Sequence, residues 1–292
     1  MANEYLESAI AKIKRAESQV DDLNSRIVRF FDSSGYEIVS ERDYGLDEEV
    51  WRFELRDQIP AEIAVVAGEV VHNVRSALDN LMCALAFAHS GSTRDTYFPV
   101  GKDVNGLQTE IASKTKKLPQ LARDMIAALK PYKGGNDLLY YLHDLNRTDK
   151  HVRLAVVNQC TSSHTATYLT VRRGLAYVVG ARCGQHLLIK EYLDPIRPTA
   201  AEIAAMPSPT AVYRLKPGAS IKFGTKGCAA HKSREFLVTS PGAEFETDMK
   251  PAFDVTFQDV GPLEGEPTVA LLSQMREATA RIVSEFRRTF FP

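Results

Sequence analysis

The sequence predicts an α+β protein: a helical bundle formed by the N-terminal and C-terminal helices, with a β-rich segment (sheet or sandwich) inserted before the last helix. Three observations carry this. Apolar residues recur at spacings of three, four and seven near both ends of the 292-residue chain. Residues from about 152 to 262 instead form short runs of Val, Thr, Tyr, Ile and Leu, separated by Gly and polar residues. Between these regions lie further helical patterns, broken by Gly and Pro.

Residues 4–31 place Leu6, Ile10, Ile13, Val20, Leu23, Ile27 and Phe30 on one helical face. Ser33, Ser34 and Gly35 end the pattern, Gly being suited to the left-handed position after a helix. A face of that length needs a cover. Bundle core supplies one and a homodimer seam would supply another. Tyr36–Glu41 alternates, as do Trp51, Phe53 and Leu55 against Arg52, Glu54 and Arg56, with turn residues Asp43 to Asp47 between them. This predicts a β-hairpin near 36–56.

Pro60 opens a second long helix running to about Ala88, since a missing N–H does no harm at a helix start. The His89-Ser-Gly-Ser92 stretch ends it, and 93–105 reads as loop with Phe98-Pro99 extended. Shorter helices are expected over 106–113 and 118–130. The Lys130-Pro-Tyr-Lys-Gly-Gly-Asn136 run is a break, and another helix starts near Asp137 and runs to about Thr148. After His151 strand patterns take over: Val152–Asn158, Thr165–Arg172, Ala176–Ala181, Leu187–Tyr192, Val212–Leu215, Ser220–Phe223, Glu235–Thr239 and Ala252–Val260. A last helix begins near Pro267 with Val269, Leu272, Met275, Ile282, Val283, Phe286 and Phe290 on one face. The expected organisation is therefore a bundle over 1–151, a β-rich segment over 152–262, and a helix over 263–292 that returns to the bundle.

Lys plus Arg number 36 and Asp plus Glu 37, so no global basic field invites nucleic acid. Lys114, Lys116 and Lys117 form the nearest local basic run and read as a solvated helix start. The four cysteines, Cys83, Cys160, Cys183 and Cys228, contain no CxxC pair, which fits neither a zinc site nor a disulfide framework. No apolar run approaches the roughly 18 residues of a membrane span, and the start MANEYLESAI has no signal-peptide pattern. A cytoplasmic location is the expectation. There is no dinucleotide-binding glycine motif, no phosphate-binding loop and no nucleophile elbow. No cofactor or metal is expected.

The helix after Pro60 is the most informative element. Glu69, His72, Asn73, Ser76, Asp79 and Asn80 fall within about 120° of one face, with Arg75 at its edge. The opposite face carries Val66, Val70, Val74, Ala77, Leu78 and Leu81. The polar face lacks Lys, and its sector continues as Val65 before it and as Cys83 and Phe87 after it. Such a patch suggests partial burial, and buried His, Arg, Asp and Asn require partners. Arg75 and Asp79, four apart, can pair directly. The stripe is either a satisfied network that sets helix packing or one wall of a ligand pocket.

A second cluster follows on helix 137–148, where Tyr140, His143 and Arg147 lie near one face. It continues into Asn146-Arg147-Thr148-Asp149-Lys150-His151 at the junction with the first strand, a place where function concentrates. Capping residues and dipole-compensating cations explain the same residues structurally.

The stretch His72-Asn-Val-Arg-Ser-Ala-Leu-Asp79, with Asn146-x-x-Asp-Lys-His151 downstream and Phe286-Arg-Arg-Thr-Phe-Phe291 near the end, resembles a set of uncharacterised bacterial proteins of about this length. That likeness implies no activity. A second resemblance is to HEPN-type helical ribonucleases, which cleave RNA without metal using an Arg and a following His on a helix. Arg147 to His151 is one residue shorter than the shortest spacing of that motif.

Two functions follow as expectations. The first is a ligand-binding or interaction protein with a polar pocket between bundle helices, its partner an unidentified small molecule or RNA. The candidate pocket residues are His72, Arg75, Asp79, Asp149 and His151, with Asn73, Asn146, Arg147 and Lys150 as ligand contacts. The alternative is a metal-independent nuclease or other hydrolase. In it His72 or His151 acts as acid or base, and Arg75, Arg147 or Lys150 stabilises an anionic oxygen. A zinc site from His72, His143 and His151 lacks the usual close spacing of histidine ligands.

Overall fold

A computed structural model describes residues 1–33, 36–45, 48–148 and 266–292, together with the strands between 154 and 257 named below. The chain divides into two compact units. One comprises Met1–Arg29, Ile59–Ala155 and Val255–Pro292; the other comprises Phe30–Gln58 and Val156–Asp254.

The first unit is a helical bundle. Its helices are α1 (Ala2–Asp32, as far as Arg29), α2 (Ala61–Ser90), α3 (Val104–Lys114), α4 (Gln120–Ala128), α5 (Asp137–Thr148) and α6 (Thr268–Phe290). Helix α2 packs against both α5 and α6, and α5 also meets α6. The reason lies in its composition. Val70, Val71, Val74, Leu78, Leu81, Met82 and Leu85 are all 2% exposed or less and together form one broad buried face of α2. Each such side chain contributes about 1.5–3 kcal/mol of hydrophobic stabilisation before conformational entropy is subtracted. The α6 face expected from the sequence is present in Leu272, Met275, Ile282, Val283 and Phe286, joined by Leu271. Val269 and Phe290 sit half-buried at its borders. On α1, Leu6, Val20, Leu23 and Ile27 are buried as expected, whereas Ile10 and Ile13 are only half-buried and the neighbouring Ala9 and Ala16 are fully buried.

Prolines precede three of these helices, and Pro60, read from the sequence as the opening helical residue, stands one position before it. Pro60, Pro119 and Pro267 occupy the position before the first helical residue, with extended ψ of 131°, 152° and 129°. Their carbonyls accept the first helical N–H groups, from Ile63, Ala122 and Leu271. A proline has no N–H to lose there and its fixed φ presets the entry. Gly91 closes α2 at φ 73°, with its N–H on the Phe87 carbonyl. A left-handed residue at this place is what selects glycine.

The second unit contains the hairpin β1 (Tyr36–Asp43) and β2 (Glu48–Leu55), in antiparallel register from Tyr36↔Leu55 to Asp43↔Glu48. Further strands are β4 (Tyr168–Arg172), β5 (Leu175–Val179), β6 (Leu188–Lys190), β7 (Ala211–Leu215), β8 (Ser220–Lys222), β9 (Glu235–Thr239) and β10 (Ala243–Thr247). Their pairing order is β1-β2-β9-β8-β6 in one sheet and β10-β7-β5-β4 in another. The hairpin groups with this unit, because β2 uses its second edge to bond β9. Strands β3 (Leu154–Gln159) and β11 (Ala252–Phe257) pair with each other. On β11, Val255, Thr256 and Phe257 are buried. Among the described residues no helix is long and apolar enough to cross a membrane.

Candidate functional site

The polar stripe of α2 divides into two groups with different partners. The first faces α1. Gln19 Nε2 donates to Glu69 Oε2 at 2.6 Å, and Asn73 Nδ2 donates to Gln19 Oε1 at 2.8 Å. Asn80 Nδ2 donates to Ser8 Oγ at 2.9 Å, and Lys12 Nζ reaches Asn73 Oδ1 at 3.5 Å. The partners run in opposite directions along the two helices, ending at Arg26 and Glu62, so α1 lies antiparallel to α2. This polar seam sets the register of the two helices. Gln19 is 5% exposed, so its amide depends on these bonds.

The second group is a clamp. Arg75 Nη1 donates to Asp79 Oδ1 at 2.6 Å and Nη2 to the Phe98 carbonyl at 3.0 Å. The Phe98 N–H donates to the same Asp79 oxygen at 2.8 Å. Both backbone groups of the fully buried Phe98 are thereby satisfied by one ion pair on α2. The Arg75 guanidinium also lies 5.9 Å from the Phe98 ring centroid. Lys117 Nζ anchors the start of the same loop, donating to Ser92 Oγ at 3.0 Å and to the Arg94 carbonyl at 2.6 Å. Lys114 and Lys117 are thus not part of a solvated helix start. Lys114 is the last residue of α3, because the Thr115 hydroxyl and N–H both turn back to the Ile111 carbonyl.

From Phe98 the chain runs to Gly101, whose N–H bonds the Pro131 carbonyl. A Cβ at Gly101 would stand 2.2 Å from the Leu107 backbone nitrogen, so the loop can press against the start of α3 only with glycine there. Asp103 caps α3 by accepting the Gly106 N–H at 2.7 Å.

Between this loop, α3 and α5 lies a cleft of about 540 Å³. Gly101, Lys102, Asp103 and Gly106 line it from the loop and first turn of α3. Glu110 and Lys114, an ion pair, line it from the rest of that helix. Helix α5 contributes Tyr140, His143, Asp144 and Arg147. Arg147 Nη2 donates to Asp144 Oδ1 at 2.9 Å.

His143 connects the clamp to the cleft. Arg75 Nε donates to its Nδ1 at 3.3 Å. An acceptor Nδ1 carries no proton, so the neutral ring has its hydrogen on Nε2. Burial holds the imidazole well below its ordinary range, to a pKa of about 4. Arg75, Lys114 and Arg147 add to that shift, and Asp79 opposes it. Protonation would set an Nδ1–H against the Arg75 N–H. Among the described residues Nε2 has no hydrogen-bond partner.

The structure distributes the expected site residues over several places. His72 is exposed, its Nε2 lying 3.4 Å from Ser76 Oγ. Asn73 belongs to the seam, and Arg75 and Asp79 to the clamp. None of these four lines the cleft. Arg147 does. Asn146 is half-buried, with its Oδ1 lacking a partner among the described residues. Asp149, Lys150 and His151 lie outside the described residues. Among the described residues no group of His, Cys, Asp and Glu converges as a metal site. Sequence reasoning found Tyr140, His143 and Arg147 as a face but missed the opposite wall. The signal for it was Gly101-Lys-Asp103-x-x-Gly106, a helix-capping aspartate between two glycines. No protein-family model matches the chain, and no curated protein or solved structure is detectably similar to it.

Proposed function

We propose that this protein binds a small polar ligand in the cleft between α3 and α5, with His143 as a fixed, neutral hydrogen-bond donor. The observation that carries the reading is the Arg75 bond to His143 Nδ1. It selects one tautomer and one ring orientation before any ligand arrives, which is the preorganisation that binding sites use. A cleft of about 540 Å³ is of metabolite size. The Arg75–Asp79 pair acts as the support of the site: it holds the loop leading to Gly101 and orients the histidine.

The hydrolytic alternative asks for a histidine that exchanges protons near neutral pH. His143, with a pKa of about 4, is a poor base there and serves better as a donor. The finer fold assignment, a β-rich segment carried between α5 and α6, belongs to the same proposal. A far-UV circular dichroism spectrum dominated by helix with no strand component would contradict it.

The test is a panel of metabolite-sized compounds followed by ligand-observed NMR with wild type and His143→Leu. Compounds that bind wild type and are lost in the variant support the cleft. Binders indifferent to His143→Leu, or RNA cleavage abolished by His151→Ala, would replace this reading with the alternative.

A further inference from the structure

The groups lining the cleft differ in whether they are already engaged. Each carboxylate has a partner: Glu110 pairs with Lys114, Asp144 with Arg147, and Asp103 accepts the Gly106 N–H. The donors are less committed. Lys102 has neither an ion pair nor a hydrogen bond among the described residues. His143 Nε2–H is free in the same sense. Arg147, whose side chain is 67% exposed, has one Nη on Asp144 and further N–H groups to offer. Lys102 also directly precedes the capping residue of α3, at the positive end of that helix, where a cation is ordinarily disfavoured. An anion between them would remove that repulsion.

We propose, resting on the reading of this cleft as a binding site, that its ligand carries an oxyanion, a carboxylate or a phosphate ester, held by Lys102, Arg147 and the Nε2–H of His143. The uncompensated Lys102 supplies the charge, Arg147 a planar donor pair suited to either group, and His143 a neutral donor from the buried wall.

The experiment uses the full chain with 15N-labelled histidine and three probes: succinate, inorganic phosphate and uridine. Binding is read from the His143 Nε2–H resonance and by calorimetry at low ionic strength. The expected result is that succinate, phosphate or both shift that resonance and bind in the millimolar range or tighter. Lys102→Ala should weaken them by about tenfold, added salt should weaken them further, and Lys14→Ala on α1 should leave them unchanged. Which of the two anions binds identifies the source of the oxyanion. Lys102 is exposed, so its variant keeps the fold, which circular dichroism checks. Uridine shifting the resonance equally in wild type and Lys102→Ala, with no effect of either anion, would overturn the anion assignment and leave the cleft standing. Silence of the resonance to all three probes would overturn both.

Discussion

Replacing Asp79 by Ala removes the oxygen that receives Arg75 Nη1 at 2.6 Å and the Phe98 N–H at 2.8 Å. Arg75 is 5% exposed, so its freed Nη1 depends on whatever water enters where the Asp79 carboxylate stood. Removing one member of a buried ion pair costs ~3–5 kcal/mol, and an orphaned buried N–H ~1–3 kcal/mol. The Asp79 side chain is 30% exposed, and water entering beside it moderates both. The expected loss is about 3 kcal/mol, more than a hundredfold in the folding equilibrium. Urea unfolding followed by far-UV circular dichroism measures it. Fluorescence is the wrong probe, because the single tryptophan, Trp51, lies in the hairpin of the other unit. The double variant Arg75→Met with Asp79→Leu should not recover the loss: it removes the unpaired charge but leaves both the N–H and the carbonyl of buried Phe98 without a partner. A loss below about 1 kcal/mol in Asp79→Ala, or a double variant as stable as wild type, would refute the clamp.

Three further outcomes follow from the same geometry. His143 is depressed to a pKa of about 4 from 6.5, so between these values the unfolded chain binds a proton that the folded chain does not. Its contribution is complete above pH 6.5 and is lost as pH falls toward 4. Urea midpoints across this window should fall less steeply in His143→Gln, and the wild-type imidazole should titrate by NMR near 4. Gly101→Ala should destabilise by ~1–3 kcal/mol, since its Cβ would meet the Leu107 backbone at 2.2 Å. Gly106→Ala should be neutral or stabilising by up to ~1 kcal/mol, its nearest neighbour being Asp103 Oδ1 at 3.4 Å; equal effects in thermal melts would discredit the packing argument. Gln19→Ala should lose about 1–2 kcal/mol by removing the buried amide that bonds Glu69 and Asn73 across the seam, whereas the exposed His72→Ala should change urea stability by under ~0.5 kcal/mol.

Much of the helical unit was legible in the chain. Periodicity located the long helices and the apolar faces of α2 and α6, because a buried helix must repeat its apolar residues every turn whatever it packs against. Prolines and Gly91 marked the ends for local steric reasons, although whether Pro60 stood inside or before the first turn did not follow from its identity. The composition of the α2 stripe correctly demanded partners. Nothing in its spacing could say that Asn73 and Glu69 would meet Gln19 while Arg75 and Asp79 met the backbone of Phe98. Those partners lie tens of residues away, and helices reach them only through packing.

The site was decided at the same level. Residues Tyr140, His143 and Arg147 could be placed on one face from the sequence, as could the cap at Asp103 once its helix start was known. That the two walls enclose a cleft depends on Gly101 touching Leu107. That His143 is neutral depends on burial and on a guanidinium from a different helix. Residue type and spacing thus set which segments are helical and which residues needed company. Tertiary structure alone chose the company, because charge, burial and tautomer are properties of neighbours brought together across the chain rather than of residues in a row.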